Sequence, residues 1–201
     1  AIRLAVSSIK DITSNQAMDL FQLNSSVYSF LRYGVLVKEP GKEKQTRVSL
    51  INWDKPLENH FYIAEEVSVL KDYADSSNKE IHKRPDIVLY INGIAIAVLE
   101  LKRSTRSINE GIRQNITNQR KDMIQRFFGT NGLIMAGNDT EGLRYGVIQT
   151  PEKYYLSWKE DAELKDSLSL EVKSLRESQS YGLDKSLISI CHKERLVELL
   201  Y

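Results

Sequence analysis

One cysteine, Cys191, occurs in 201 residues. That excludes an internal disulfide and a cysteine-rich zinc site, and it suits a reducing compartment. Histidine is also scarce. His60, His82 and His192 lie far apart, which argues against a histidine-rich metal site and leaves oxygen donors as the ligands to look for. Net charge is only +1, so any affinity for a polyanion must come from a local patch or from partner subunits. No apolar run approaches the length of a membrane span, and the N-terminus has no signal-peptide layout. A cytoplasmic location with no membrane partner is therefore expected. Internal repeats and low-complexity tracts are absent. The sequence has no initiator methionine and stops at Leu199-Leu200-Tyr201 within a helical pattern, so it reads as a piece of a longer polypeptide.

What is present is an ordinary globular composition, 41% hydrophobic and 27% charged, on a chain long enough for one well-cored domain with an appendage. Ile2 to Ile12 is amphipathic and reads as a short helix, with Ile2, Val6 and Ile9 on one face. Asn24 to Leu31 predicts a second helix capped by Ser25 or Ser26. Tyr33–Lys38 and Thr46–Ile51 read as strands of a hairpin, joined by the polar turn at 39–44. Residues 53–60 read as a loop, Phe61 to Leu70 as one long strand, and 74–82 as a loop. Ser107 to Phe128 has helical spacing. Gly132–Ala136, Arg144–Gln149 and Tyr154–Trp158 read as strands, with turn chemistry at Gly137-Asn138-Asp139. After Trp158 the character changes: Lys159 to Arg176 and Asp184 to Tyr201 are charged segments with leucines at helical spacing. The boundary is placed at residues 158–159, giving a domain over 1–158 and a helical connector over 159–201.

The centre of the sequence is Arg84-Pro85-Asp86, an apolar run Ile87–Ile91, the turn Asn92-Gly93, a second apolar run Ile94–Leu99, and then Glu100-Leu101-Lys102. Asn-Gly between alternating apolar segments is the strongest short hairpin signal. A hairpin brings its two ends together, so Asp86 and Glu100 meet. Close carboxylates repel unless a cation is shared, and hard oxygen ligands select Mg²⁺ or Mn²⁺. Lys102 lies two residues beyond Glu100 and so shares its face. Its ammonium is placed to serve an attacking water or a scissile phosphate. Leu101 points toward the core, and its backbone carbonyl is a further candidate metal ligand. Each short motif is weak alone. The bland alternative is a turn-capping Asp86, a Glu100–Lys102 ion pair and a hairpin that is merely core.

The block from Arg84 to Lys102 resembles the nuclease core of the R subunits of type I restriction enzymes, members of the PD-(D/E)xK superfamily. Leu31-Arg32-Tyr33-Gly34-Val35, Leu50-Ile51-Asn52-Trp53, Asn59-His60-Phe61, Gly137-Asn138-Asp139-Thr140 and Arg144-Tyr145-Gly146 also resemble that family. The resemblance covers most of residues 27–160. It implies an α/β restriction-endonuclease-like fold: a mixed central sheet flanked by helices, with the C-terminal helical connector following. It implies Mg²⁺-dependent (or Mn²⁺-dependent) cleavage of double-stranded DNA. In the intact subunit, cleavage is coupled to an ATP-driven motor domain later in the same chain, and methylation and specificity subunits are the partners. Asp86, Glu100 and Lys102 match the family's catalytic motif. Gln114 matches the glutamine of its Gln-x-x-x-Tyr motif, and Asn118 stands where the tyrosine is expected. Asp11 and Asp19, the acids before the first strand, sit in no motif.

The segment 103–126 is basic. Arg103, Arg106 and Arg113, with Asn118, are candidate DNA contacts, against the plainer reading of a solvated helix face. Gly41-Lys42 lacks the rest of a phosphate loop, and His60 and His82 read as ordinary polar residues. Two alternatives stay open: another nuclease of the superfamily, such as a repair nuclease or resolvase, and a non-catalytic DNA-binding or docking module.

Overall fold

A computed structural model describes residues 1–73, 82–160 and 166–201. In chain order its helices are α1 (Ile2–Thr13), α2 (Leu20–Tyr33), α3 (Ile108–Asn118), α4 (Ser167–Glu177), α5 (Gly182–Ile190) and α6 (Lys193–Leu200). Its strands are β1 (Val35–Val37), β2 (Thr46–Val48), β3 (Phe61–Glu65), β4 (Val69–Leu70), β5 (His82–Lys83), β6 (Ile87–Ile91), β7 (Ile94–Leu101), β8 (Leu133–Asn138), β9 (Gly142–Gly146) and β10 (Leu156–Ser157). Six of them form the central sheet in the order β10-β9-β8-β7-β6-β3. β7 and β8 are parallel and the other pairs antiparallel. The fold is the expected one, a mixed sheet flanked by helices with further helices at the C-terminus.

Period-two alternation splits the core. Ala97, Leu99, Leu133 and Met135 face a cluster completed by Val27 and Leu31 of α2 and by Leu183, Ile190, Leu196 and Val197 of α5 and α6. Val98, Ile134 and Ala136 face the other way, onto Ile108 and Ile112 of α3 together with Ile124 and Phe128. The β6–β7 turn is the expected one: Asn92 and Gly93 both have positive φ, 51° and 81°, as a two-residue hairpin loop requires. The Asn92 side chain ties this turn to the preceding loop, accepting from His60 N and donating to the Leu50 carbonyl and Asn59 Oδ1.

Several boundaries differ from the sequence reading. α2 starts four residues early because Asp19 and Gln22 make a reciprocal capping box; Ser26 lies inside the helix and bonds back to the Gln22 carbonyl. The long strand expected over 61–70 breaks into β3 and β4 at Glu66, whose φ is +47°. The helix expected over 107–128 ends at Asn118. The chain then turns so that Ile124 and Phe128 become buried, and a 3-10 turn over Gln125–Thr130 follows. The helix expected over 184–201 is two, α5 and α6, interrupted where His192 is extended. Most of the loop expected over 74–82, and residues 161–165 of the segment after Trp158, lie outside the described residues.

Candidate active site

β7 alternates Ala97, Val98, Leu99, Glu100, so Glu100 takes the α3-facing position that an apolar residue would fill. It is fully buried, at 0% exposure. Its strand is fixed on one side by β6 and on the other by β8. Asp86, just before β6, lies across the hairpin: its Oδ2 accepts from Leu101 N at 2.7 Å, which sets its carboxyl close enough to Glu100 for the two acids to act on each other. Lys102 leaves β7 on the Glu100 side, its N–H bonded to the Gly137 carbonyl at 2.9 Å. The fourth residue comes from α3. Gly111 lets that helix lie close to the sheet: a Cβ built there would sit 3.2 Å from Ala136 Cβ and 3.5 Å from both the Glu100 carbonyl oxygen and Lys102 Cγ. One turn later Gln114 reaches back between the two charges.

The result is a relay. Lys102 Nζ donates to Gln114 Oε1 at 2.8 Å, and Gln114 Nε2 donates to Glu100 Oε2 at 2.7 Å. Lys102 Nζ is 3.8 Å from the same Glu100 oxygen. The other oxygen, Glu100 Oε1, is buried and has no hydrogen-bond partner. Burial, then the charge and hydrogen bond of Asp86, push the Glu100 carboxyl up to about 8, against the weaker pull of Lys102. Such a shift arises where a carboxylate is held dry beside a like charge.

Asp86, Glu100, Leu101, Lys102 and Gln114 are thus brought together. The surrounding predictions fare differently. Arg103 and Arg106 are exposed on the loop after the lysine. Arg113 is exposed but held in a two-bonded pair with Glu152, both contacts 2.8 Å. Asn118 is 3% exposed, turned into the protein rather than toward solvent. Among the early acids, Asp19 is a helix cap and Asp11 is exposed on α1. Among the described residues no cluster of three or more His, Cys, Asp or Glu side chains can hold a metal; Asp86 and Glu100 are two carboxylates. Sequence reasoning passed over Glu141, which accepts from Ile108 N at the start of α3. Its signal was the turn chemistry before it, Asn138-Asp139-Thr140.

Residues 3–153 match the family model for the type I restriction enzyme R protein N terminus. The chain belongs to this family. Among its relatives, a type I restriction enzyme MjaIXP endonuclease subunit of Methanocaldococcus jannaschii, itself a provisional assignment, is 26% identical over 98% of this chain and 19% of its own length. The type I restriction enzyme HindI endonuclease subunit of Haemophilus influenzae is 26% identical over 76% of this chain and 14% of its own length. The chain therefore spans less than a fifth of the relatives it matches. No described helix is long and apolar enough to cross a membrane.

Proposed function

We propose that this chain is the nuclease part of a type I restriction enzyme R subunit. It hydrolyses phosphodiesters of duplex DNA with Mg²⁺ or Mn²⁺ held by Asp86 and Glu100. The observation that carries the reading is a fully buried glutamate, one oxygen unpartnered, set against a second carboxylate at the end of a hairpin. Two acids so placed, with hard oxygen donors, fit a divalent cation, and the Leu101 carbonyl is the candidate third protein ligand. When bound, the cation supplies Lewis-acid charge to the phosphoryl group and the attacking water.

The remaining work falls to this chain's own groups. The Lys102 ammonium has three protons and gives one to Gln114. The others are free to hold the water and to stabilise the charge that builds on phosphorus. Gln114 fixes the ammonium relative to Glu100, so the relay is preorganised before substrate arrives. In the reaction the water oxygen bonds to phosphorus and gives up a proton to solvent, the bond to one sugar oxygen breaks, and that oxygen takes up a proton from solvent in its place. Arg103 would serve a flanking phosphate; Arg106, 3.5 Å from Glu110, and Arg113, bonded to Glu152, would contribute less. In the intact subunit an ATP-driven motor domain would deliver the duplex, and methylation and specificity subunits would choose the site.

The test is a Mn²⁺ titration. Wild type binds the cation, and Asp86→Ala loses it together with cleavage. Equal responses from the two proteins reject the nuclease reading and leave the docking module.

A further inference from the structure

Between Lys102 and α3 the chain has five residues, 103–107, in which to turn and bring Gln114 back onto the lysine. That loop has one exposed arginine near each end, and its backbone is not held by its own residues alone. The turn between β8 and β9 grips it at three points. Thr140 Oγ1 donates to the Ser104 carbonyl at 3.2 Å, Asn138 Nδ2 donates to the Arg106 carbonyl at 2.8 Å, and Glu141 Oε1 accepts from Ile108 N at 2.8 Å. The grip is itself braced. Glu141 N donates to Asn138 Oδ1 at 2.6 Å, and Asn138 Nδ2 also reaches Glu141 Oε1 at 3.2 Å. Asn138 is 1% exposed, so its amide is committed to these contacts. Ser107 caps the same helix end through Asn109 N, which leaves Glu141 the first backbone N–H of α3.

Resting on the nuclease reading above, we infer that Asn138 and Glu141 are positioning residues of the active site: they set where α3 begins, and through it where Gln114 meets Lys102 and Glu100. Asp86, just before β6, and Glu100, on β7, make no hydrogen bond to the side chains of Asn138, Thr140 or Glu141, and β7 is held by main-chain pairing with β6 and β8, so the carboxylate pair stays in place without those side chains. The clamp governs only the Lys102–Gln114 half of the site. A misplacement of about 1 Å in such a group costs up to about a hundredfold in rate.

The test compares Glu141→Ala, Glu141→Gln and Gln114→Ala, singly and with Glu141→Ala combined with Gln114→Ala. In Glu141→Ala, DNA cleavage falls about ten- to hundredfold while Mn²⁺ affinity stays at the wild-type value. Glu141→Gln, which keeps an acceptor for Ile108 N, restores most of the rate. The double variant is no slower than Gln114→Ala, because both changes act through one contact. A free-protein readout runs alongside: the Gln114 side-chain amide, bonded to a buried glutamate, is protected from solvent exchange in wild type and in Glu141→Gln and loses protection in Glu141→Ala. Additive losses in the double variant, or unchanged protection in Glu141→Ala, overturn the clamp. If wild type neither binds Mn²⁺ nor cleaves, the nuclease reading fails instead, and amide protection still decides whether Glu141 places Gln114.

Discussion

Glutamine in place of Glu100 is expected to make the metal-free protein more stable and the nuclease inactive. Without a cation, burial and the facing Asp86 raise the Glu100 carboxyl from 4.5 to about 8. A carboxyl with a folded pKa above its unfolded one favours folding at low pH and loses that contribution as pH climbs through the folded value. The window therefore runs from about 4.5 to about 8. At about 1.36 kcal/mol per pKa unit, ionising Glu100 costs at most about 5 kcal/mol above that window. Glutamine keeps an acceptor for the Gln114 amide and gives Asp86 an N–H instead of a like charge. Relaxation and water entry recover part of the cost in the wild type, so a gain of about 2 kcal/mol at about pH 8.5 is expected. That is a Tm rise of about 4–8 °C for a chain of this size, shrinking toward zero at about pH 5. Thermal unfolding in chelator at both pH values measures it. Excess Mg²⁺ should then restore wild type and leave Glu100→Gln unmoved, since a ligand of the native state stabilises only the protein that binds it. A Tm difference that does not change with pH would refute the reasoning, because it would mean that Glu100 is not ionising in a dry site beside Asp86.

Because Glu100 holds its proton up to about pH 8, Mn²⁺ affinity should rise about tenfold per pH unit below that value and level off above it, with about one proton released per cation; calorimetry in buffers of different ionisation heat reads both, and a flat profile rejects the coupling. Lys102→Met should keep Mn²⁺ binding and lose cleavage by about a hundredfold or more, whereas loss of binding would assign Lys102 to holding the carboxylates instead. Deleting residues beyond 160 strips Leu183, Ile190, Leu196 and Val197 from the larger core cluster. At about 1.5–3 kcal/mol per buried aliphatic side chain, the shortened protein should not unfold cooperatively, and an unchanged urea midpoint would show those helices to be dispensable.

The site was legible because its spacing is carried by a hairpin. Asn92-Gly93 fixes the turn, but its register alone would set Asp86 opposite Leu99; a one-residue shift between Leu89 and Tyr90, which no sequence pattern announces, brings Asp86 against Glu100. Lys102 followed from strand alternation. Gln114 came from family resemblance, and only the structure shows why it arrives, since Gly111 allows the close approach and no local pattern announces that. Boundaries failed where a tertiary contact outweighed periodicity. Helix α3 stops at Asn118 although helical spacing continues, because burying Ile124 and Phe128 needs the chain to turn. The α5–α6 break falls within one continuous amphipathic pattern. Glu66 interrupts a strand whose composition gives no warning. Asn118 held a motif position on the helix and proved to be buried, since a one-turn offset from Gln114 says nothing about what packs above the helix end.

A second inward-turned glutamate shows what separates a site from a scaffold. Glu160 is also partly buried and bonded, but its surroundings have the opposite sign. Burial alone would raise its carboxyl, and hydrogen bonds from Ser189, Trp158 and Arg195, with the arginine's charge, bring it below the ordinary value instead. Arg176 adds a second guanidinium at 3.4 Å, and Arg195 spreads its remaining donors over Ser189 and Ser169. In that network the carboxylate is paired with opposite charge and hydrogen-bond donors, as a buried charge in a scaffold has to be. Glu100 has one neutral donor on one oxygen, none on the other, a lysine 3.8 Å away and an acid beside it. Glu100 Oε1 is one of several buried side-chain atoms of the described residues without a partner, and it belongs to an acid that lies beside a second acid. On the reading proposed above, a divalent cation held by Asp86 and Glu100 would relieve the repulsion between them, and that unrelieved repulsion is the argument for what would bind there.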